Sequence, residues 1–211
     1  MDRLPISKQT LQRLPLYLNY LKAIQQKDTV NISATTIADD LRLNQVQVRK
    51  DLAKVSTGGR PKLGYVKSEL IRDIEAFLGY DDSNNAVLVG AGRLGGALLS
   101  YTGFKVYGLN IISAFDIDEN IIGTEIGGKK VFPIEKLSDL CQRLKVHIAI
   151  ITVPCHAAQE VCDILTSCGI LAIWNFAPVH LEVPKDILVK QENLASSLAV
   201  LSGHVAERLN I

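Results

Sequence analysis

The chain has 211 residues, 47% of them hydrophobic, with 23 Lys+Arg against 22 Asp+Glu and four Cys. That composition excludes a disordered chain, a collagen-like repeat and a disulfide scaffold, and no apolar run approaches the roughly 18–20 residues that span a bilayer. The opening MDRLPISKQT has no apolar signal core, so the expected compartment is the cytoplasm.

A formal net charge of +1 argues against a nucleic-acid binder only if the charge is evenly spread. It is not. Residues 1–78 hold 13 Lys+Arg and 8 Asp+Glu, a balance of +5, whereas residues 79–211 hold 10 and 14, a balance of −4. Between the two halves, residues 79–85 (Gly-Tyr-Asp-Asp-Ser-Asn-Asn) form a polar, turn-rich stretch of linker type. A basic domain at 1–78 and an acidic one from residue 86 onward are expected, with separate tasks.

In the first domain, Ser7 can cap a helix running to about Gln26, with Leu11, Leu14, Leu18, Leu21 and Ile24 at helical spacing. Pro15 is expected to kink or restart it. Ser33 caps a short second helix, Ala34 to Leu41; after the turn Arg42-Leu43-Asn44, Asn44 and Gln47 open a third helix to about Val55 as a capping box. Two short helices joined by a three-residue turn fit a helix-turn-helix. On the third helix Val48, Leu52 and Val55 share the core side. The opposite face carries Val46, Gln47, Lys50, Ala53 and Lys54, with Arg49 on its flank. Cations suit phosphates, an amide suits bidentate contact with adenine, and small apolar groups suit thymine methyls. Thr57–Tyr65 reads as a Gly-rich hairpin bearing Arg60 and Lys62, a wing beside that helix, and Ser68 caps a fourth helix to about Leu78. A solvated basic face is the plain alternative for any one of these features; spacing, wing and local charge together favour double-stranded DNA.

In the second domain, strand Ala86–Val89 runs into Gly90-Ala91-Gly92-Arg93-Leu94-Gly95 and then a helix. This is G-x-G-x-x-G in the setting the chemistry needs. The first Gly makes the tight turn, the second lets the backbone approach a pyrophosphate, and the third allows close helix–strand packing. A second strand, Ile111–Phe115, ends in Asp116, 21 residues after Gly95, where an acid binds adenosine ribose hydroxyls and repels a 2′-phosphate. NAD is therefore favoured over NADP. A glycine turn used only for packing, with Asp116 as a strand-end cap, is the alternative.

Beyond Asp116, residues 120–131 are Gly-broken and read as loop or short hairpin. Helix Ile134–Leu144, strand Val146–Val153, helix Ala157–Ser167 and strand Ile170–Trp174 continue the alternation of an α/β Rossmann domain, expected over residues 86–190. Thr152-Val153-Pro154 and Asn175-Phe176-Ala177-Pro178 then fall at strand carboxyl ends, where such sheets bind ligands. A terminal helix, about Asn193–Leu209 within residues 191–211, is apolar enough to suggest docking on a second copy. The four cysteines form no C-x-x-C pair and the four histidines are scattered, so neither a metal site nor a catalytic constellation is expected. Residues 86–211 are consumed by the cofactor fold and the last helix, leaving no substrate domain. That favours a sensor over the rival reading, a small NAD-dependent oxidoreductase whose helical N-terminus only dimerises.

Taken in order, the chain resembles the Rex family of redox-sensing transcriptional repressors. The likeness lies in residues 13–17 (Arg-Leu-Pro-Leu-Tyr), 47–52 (Gln-Val-Arg-Lys-Asp-Leu), Gly64-Tyr65, Gly90–Gly95, 115–118 (Phe-Asp-Ile-Asp), Thr152–Pro154 and Asn175–Val179. The resemblance implies a homodimer that binds a palindromic operator and releases it when NADH replaces NAD+. It also implies a last helix that crosses to the partner subunit, and a nicotinamide near Asn175–Pro178. The chain departs from the family pattern in its recognition-helix end, Ala53-Lys54-Val55-Ser56, and in its wing, Arg60-Pro61-Lys62-Leu63. Near the start of the last helix the family can place an Asp that pairs with the arginine matched by Arg13; here Asn193 and then Leu194 stand there. A repressor with a weakened NADH response is thus a further alternative.

Overall fold

The computed structural model describes residues 6–24, 30–80 and 84–209. The chain divides into two compact units, Met1–Asp82 and Ser83–Ile211, each with its own hydrophobic core.

In the first unit, α1 (Lys8–Ala23) is capped by Ser7, whose Oγ accepts the Thr10 N–H. Leu14, Tyr17, Leu18 and Leu21 are fully buried along one face. Pro15 neither breaks nor restarts the helix. The carbonyl it deprives of a partner belongs to Leu11, on the exposed side where water can serve it, while the buried face holds the helix together. The expected last turn, to Gln26, lies outside the described residues.

Ser33 caps α2 (Ala34–Asp40), and Arg42 makes the turn at φ 54°, in the left-handed region. Asn44 caps α3 (Gln45–Val55) by accepting the Gln47 N–H at 3.1 Å. The reciprocal half of the expected capping box is not made, because the Gln47 carboxamide donates to Asp51 instead. Val48 and Leu52 are fully buried, and Val55 packs at the core's margin.

Two short strands that hydrophobic periodicity cannot reveal, β1 (Asn31–Ile32) and β2 (Tyr65–Val66), pair antiparallel and anchor the wing. Its tip is closed by two backbone hydrogen bonds between Arg60 and Gly64, 2.8 and 2.9 Å. Gly64 is obligatory: its φ is +80°, and a Cβ there would lie 2.3 Å from the Ile32 carbonyl oxygen. α4 (Lys67–Leu78) starts one residue before the expected cap, so Ser68 is its second residue. Strand β2 runs straight into this helix, and the Lys67 N–H is already satisfied by the Val30 carbonyl at 2.9 Å.

The second unit runs β3 (Asn84–Val89), α5 (Arg93–Ser100), β4 (Leu109–Asp116), β5 (Glu125–Ile126), β6 (Lys129–Pro133), α6 (Leu137–Leu144), β7 (Ile148–Ile151), α7 (Cys155–Ser167), β8 (Ala172–Asn175), β9 (Leu188–Gln191) and α8 (Leu194–Leu209). The sheet order is β5-β6-β4-β3-β7-β8-β9, and every neighbouring pair is parallel except β5–β6. This is the doubly wound order, with the first strand at the centre and the direction of progression reversing between β3 and β7. The crevice that reversal opens lies at the carboxyl ends of these two strands, beyond Val89 and Ile151. The stretch at 120–131 holds a hairpin, and helix 134–144 begins as a 3₁₀ turn, Ile134–Lys136.

Cys141, Cys162 and Cys168 are buried, Cys155 is exposed, and all four are free thiols; burial pushes that of Cys141 up to about 11. Among the described residues no helix is long and apolar enough to cross a membrane, and no three metal-ligating side chains cluster.

Candidate functional site

The glycine loop folds as its three positions require. Gly90 sits at φ +98°, with the space for a Cβ filled by Thr152 and Val153 at 2.9 Å. At Gly95 a Cβ would lie 1.9 Å from the Gly90 carbonyl oxygen, so α5 presses directly on the turn. Gly92 is different: it is the N-cap of α5, and a Cβ there meets nothing within 4 Å. The opening in front of it faces the free N–H groups and positive end of the helix, which is where an anion is stabilised. Thr152 ties the second strand end to the loop, donating its hydroxyl to the Gly90 carbonyl at 2.6 Å.

A cavity of about 710 Å³ lies on this switch point, within the size range of ligand sites. Gly90, Gly92, Leu94, Asp116, Thr152, Val153, Pro154, Phe176, Ala177 and Pro178 all line it. The remaining expected residues support it from behind or beside. Ala91 is buried and gives its N–H to Asp116 at 2.6 Å; Arg93 is exposed at the head of α5; Gly95 is packed under the loop. Asn175 is fully buried and organises the far wall: its Oδ1 accepts the Ala177 N–H, and its Nδ2 donates to the Val179 carbonyl and to Gln191 Oε1. Sequence reasoning missed the apolar side, Ile117, Ile134, Val161 and Ile164, and with it His156 and Glu160. For Val161 and Ile164 the signal available was the apolar face of α7, which periodicity alone assigns to the core, and for Ile117 its place directly after Asp116.

Asp116 is more constrained than its spacing suggests. Its Oδ2 accepts the Ala91 N–H, and its Oδ1 accepts those of Ile117 and Asp118 at 2.7 and 3.0 Å. A carboxylate has about four acceptor positions, so capacity for about one further donor is left. Trp174 stands behind the cavity wall, its ring 4.9 Å from that of Phe176 and tilted 48° to it, donating its indole N–H to Glu192 at 2.9 Å.

In the first unit, Val46, Gln47, Arg49, Lys50, Ala53 and Lys54 are all exposed on α3, and Arg60, Lys62 and Leu63 are exposed on the wing. Beneath them lies a buried ionic cluster that the helical-wheel reading did not foresee. Asp51, 1% exposed, accepts from Arg13 Nε at 2.7 Å, Arg13 Nη2 at 3.1 Å, Tyr17 Oη at 2.9 Å, Thr10 Oγ1 at 3.0 Å and Gln47 Nε2 at 3.1 Å. Burial pushes the Asp51 carboxyl up, but the hydrogen bonds from Arg13, Tyr17, Thr10 and Gln47 outweigh it and hold the group below its ordinary range. The hydrogen bond to Asp51 raises Arg13, and burial pushes Tyr17 up to about 12. Arg13 thus has a full ion pair within its own unit.

Asn193 caps α8, its Oδ1 accepting the Ser196 N–H at 3.0 Å, and Leu194 opens the helix. From Ala195 to Leu209 every side chain except that of Ala206 is exposed. Leu198, Leu201, Val205 and Leu209, each more than half exposed, recur at helical spacing as one apolar stripe.

These features define a class: a winged helix with a basic face, joined in one chain to a doubly wound domain with a dinucleotide-type cleft. Residues 5–53 match the family model described as "Putative DNA-binding protein N-terminus", and residues 81–179 match "CoA binding domain". The chain is 43% identical over 192 residues to the redox-sensing transcriptional repressor Rex of Treponema denticola, covering 91% of each chain. To that of Desulfitobacterium hafniense it is 40% identical over 208 residues, covering 99% of each. Among solved structures, RSP in complex with β-NAD+ and operator DNA is similar at TM-score 0.91 and 33% identity, over 97% of this chain and 94% of that one. RSP in complex with β-NADH is similar at TM-score 0.86 and 33% identity, over 97% and 96%. The chain belongs to the Rex family of redox-sensing transcriptional repressors, which are regulators and not enzymes.

Proposed function

We propose that the chain represses transcription as a homodimer on palindromic operator DNA, holds NAD(H) in the cleft of its second unit, and releases the operator when NADH replaces NAD+. The observation that carries this reading is the likeness, over 97% of the chain, to RSP solved with both β-NAD+ and operator DNA. It is supported by a cleft whose open glycine lies at a helix N-terminus and whose rim holds a carboxylate.

The nicotinamide, when bound, supplies a ring that is cationic when oxidised and neutral when reduced. The chain's residues do the rest. Gly92 and the start of α5 receive the pyrophosphate; Asp116 accepts one ribose hydroxyl; Ile117, Ile134 and Ile164 flank the adenine; and Phe176, Ala177 and Pro178 face the nicotinamide end. The Asp116 charge repels the 2′-phosphate of NADP and, by the same physics, the 3′-phosphate of coenzyme A. NAD(H) is therefore the ligand even though the matched family model carries the coenzyme A name. Competition titration checks this: NADPH and coenzyme A should displace NADH only weakly, and equal affinity for either removes Asp116 from the ribose.

On the DNA side, Arg49, Lys50, Lys54, Arg60 and Lys62 meet phosphates, and Val46 and Gln47 meet base edges. The α8 stripe docks on a second copy, bringing two recognition helices to successive major grooves about 34–36 Å apart. Light scattering should give a dimer, and a Leu201→Glu variant should give monomers; a monomeric wild type sinks this arrangement. Such a protein works on the chromosome, in the cytoplasm. A weaker cofactor response is the second reading, favoured by Asn193, which offers no charge and spends its side-chain oxygen on capping its own helix.

A further inference from the structure

The cluster around Asp51 joins two things usually treated apart: a buried charge that secures a helix, and a side chain on that helix's exposed face. Gln47 is exposed and lies on the α3 surface that carries the cations. Its carboxamide is nevertheless held from within, with Nε2 donating one hydrogen to Asp51 Oδ1 at 3.1 Å. Asp51 is itself fixed from α1 by four further hydrogen bonds from Arg13, Tyr17 and Thr10, so the anchor cannot turn with its guest.

The consequence follows from amide chemistry. An ionised carboxylate only accepts, so the amide oxygen is repelled from Asp51 and the flipped rotamer is barred. One amide hydrogen is spent on Asp51. What remains for a ligand is Oε1 as an acceptor with one N–H beside it as a donor, in fixed order. In the major groove, adenine alone presents a donor and an acceptor side by side on one base, at N6 and N7. On guanine or cytosine the held amide can place only one hydrogen bond, its remaining N–H to O6 or N7 or its Oε1 to the N4 amino group, so adenine is favoured by the second.

We propose that Asp51 is a specificity-positioning residue: by holding Gln47 in one amide orientation, it makes this recognition helix demand adenine at one position in each half-site. Asp51 touches no DNA and acts through Gln47. The inference rests on the reading that α3 enters the major groove.

The test selects duplexes with randomised half-sites on the full-length wild type, Gln47→Ala, Asp51→Asn and Tyr17→Phe proteins, and compares base preference position by position. The wild type should require adenine at one position per half-site, by about 5- to 150-fold, the range of one bidentate base contact. Gln47→Ala should lose that preference alone. Asp51→Asn, whose amide can donate to Gln47 Oε1 and permit the flip, should lose it at the same position. Tyr17→Phe, which weakens the same carboxylate cluster without touching Gln47, should keep it.

A uniform loss of affinity in Asp51→Asn with the adenine preference intact reduces Asp51 to a folding residue and overturns the proposal. So does loss of the preference in Tyr17→Phe. Should Asp51→Asn not fold, the wild-type amide decides the matter. A side-chain order parameter for Gln47 Nε2 near the backbone value supports the proposal, and one below about 0.6 overturns it. If the wild type selects no duplex at all, the groove reading itself has failed, and the proposal falls with it.

Discussion

Gly92 and Gly95 are three residues apart in one motif, yet alanine should do opposite things at the two positions. At Gly95 the new Cβ would lie 1.9 Å from the Gly90 carbonyl oxygen and 2.9 Å from Thr152 Oγ1. Backbone cannot yield cheaply there, so Gly95→Ala should cost about 3 kcal/mol or more of stability. At Gly92 the backbone has φ −63°, and the Cβ meets nothing within 4 Å. Gly92→Ala should therefore cost only about 0.5–1 kcal/mol, the preference for glycine over alanine at an N-cap. Its methyl, however, projects into the opening at the α5 N-terminus. Each charge-assisted hydrogen bond lost there is worth about 1.5–3 kcal/mol, so NADH affinity should fall by roughly 10- to 150-fold. Trp174, the only tryptophan in the chain, packs against cavity-lining Phe176 and reports NADH by energy transfer; thermal melting reports stability. Unchanged NADH affinity in Gly92→Ala would show that no phosphate lies at this helix end. A melting loss equal to that of Gly95→Ala would show that the space before Gly92 is not open.

Three other outcomes test separate parts of the structure. The Asp51 carboxyl is held below its unfolded value of about 3.9, so its contribution is full above that value and is lost as pH falls through the lower folded value. Acid titration should therefore unfold the first unit through this group below about pH 4, and Asp51→Ala, which strands Arg13, should cost about 3–5 kcal/mol near neutrality; a variant as stable as wild type contradicts the cluster. Lys145, exposed and left-handed at φ 50° at the end of α6, should be improved by glycine by about 0.5–1 kcal/mol in thermal melting, and a loss would mean its side chain earns its place otherwise. Lys50→Ala and Lys54→Ala should each lower the slope of log affinity against log salt by about one phosphate; unchanged slopes in both would take α3 out of the groove.

The parts of this molecule legible in the sequence are those fixed by local chemistry. Gly90, Gly92 and Gly95 announce the cleft because one tight loop sets their spacing, with a positive φ at Gly90, open space before the helix at Gly92 and contact with the Gly90 carbonyl at Gly95, and Asp116 because the sheet sets its distance from them. Ser7, Ser33 and Asn44 announce helix starts because capping is a contact three residues long. Where the outcome depended on a distant partner, the sequence was mute. Asp51 was assigned to no face, because its burial is made tolerable only by Arg13, 38 residues earlier. Gln47 fits a capping box by spacing, yet the same buried carboxylate takes its amide. Strands β1 and β2 are two residues each, too short for any period, and Ser68 lost its expected capping role because β2 delivers the chain to α4 already hydrogen-bonded. His156 and Glu160 reach the cavity only because α7 packs beside the switch point.

The central claim is that the nicotinamide's redox state sets operator affinity. It is tested most directly by fluorescence anisotropy of the full-length protein on duplex from its own promoter region, at fixed salt, with saturating NAD+ in one titration and saturating NADH in the other. About 100-fold weaker binding with NADH is expected, a coupling of about 2.7 kcal/mol that must reappear as a 100-fold greater preference for NADH over NAD+ in the DNA-free protein than in the operator complex. Equal operator affinity in the two titrations would contradict it, leaving a DNA-binding protein that carries NAD(H) without reading its redox state.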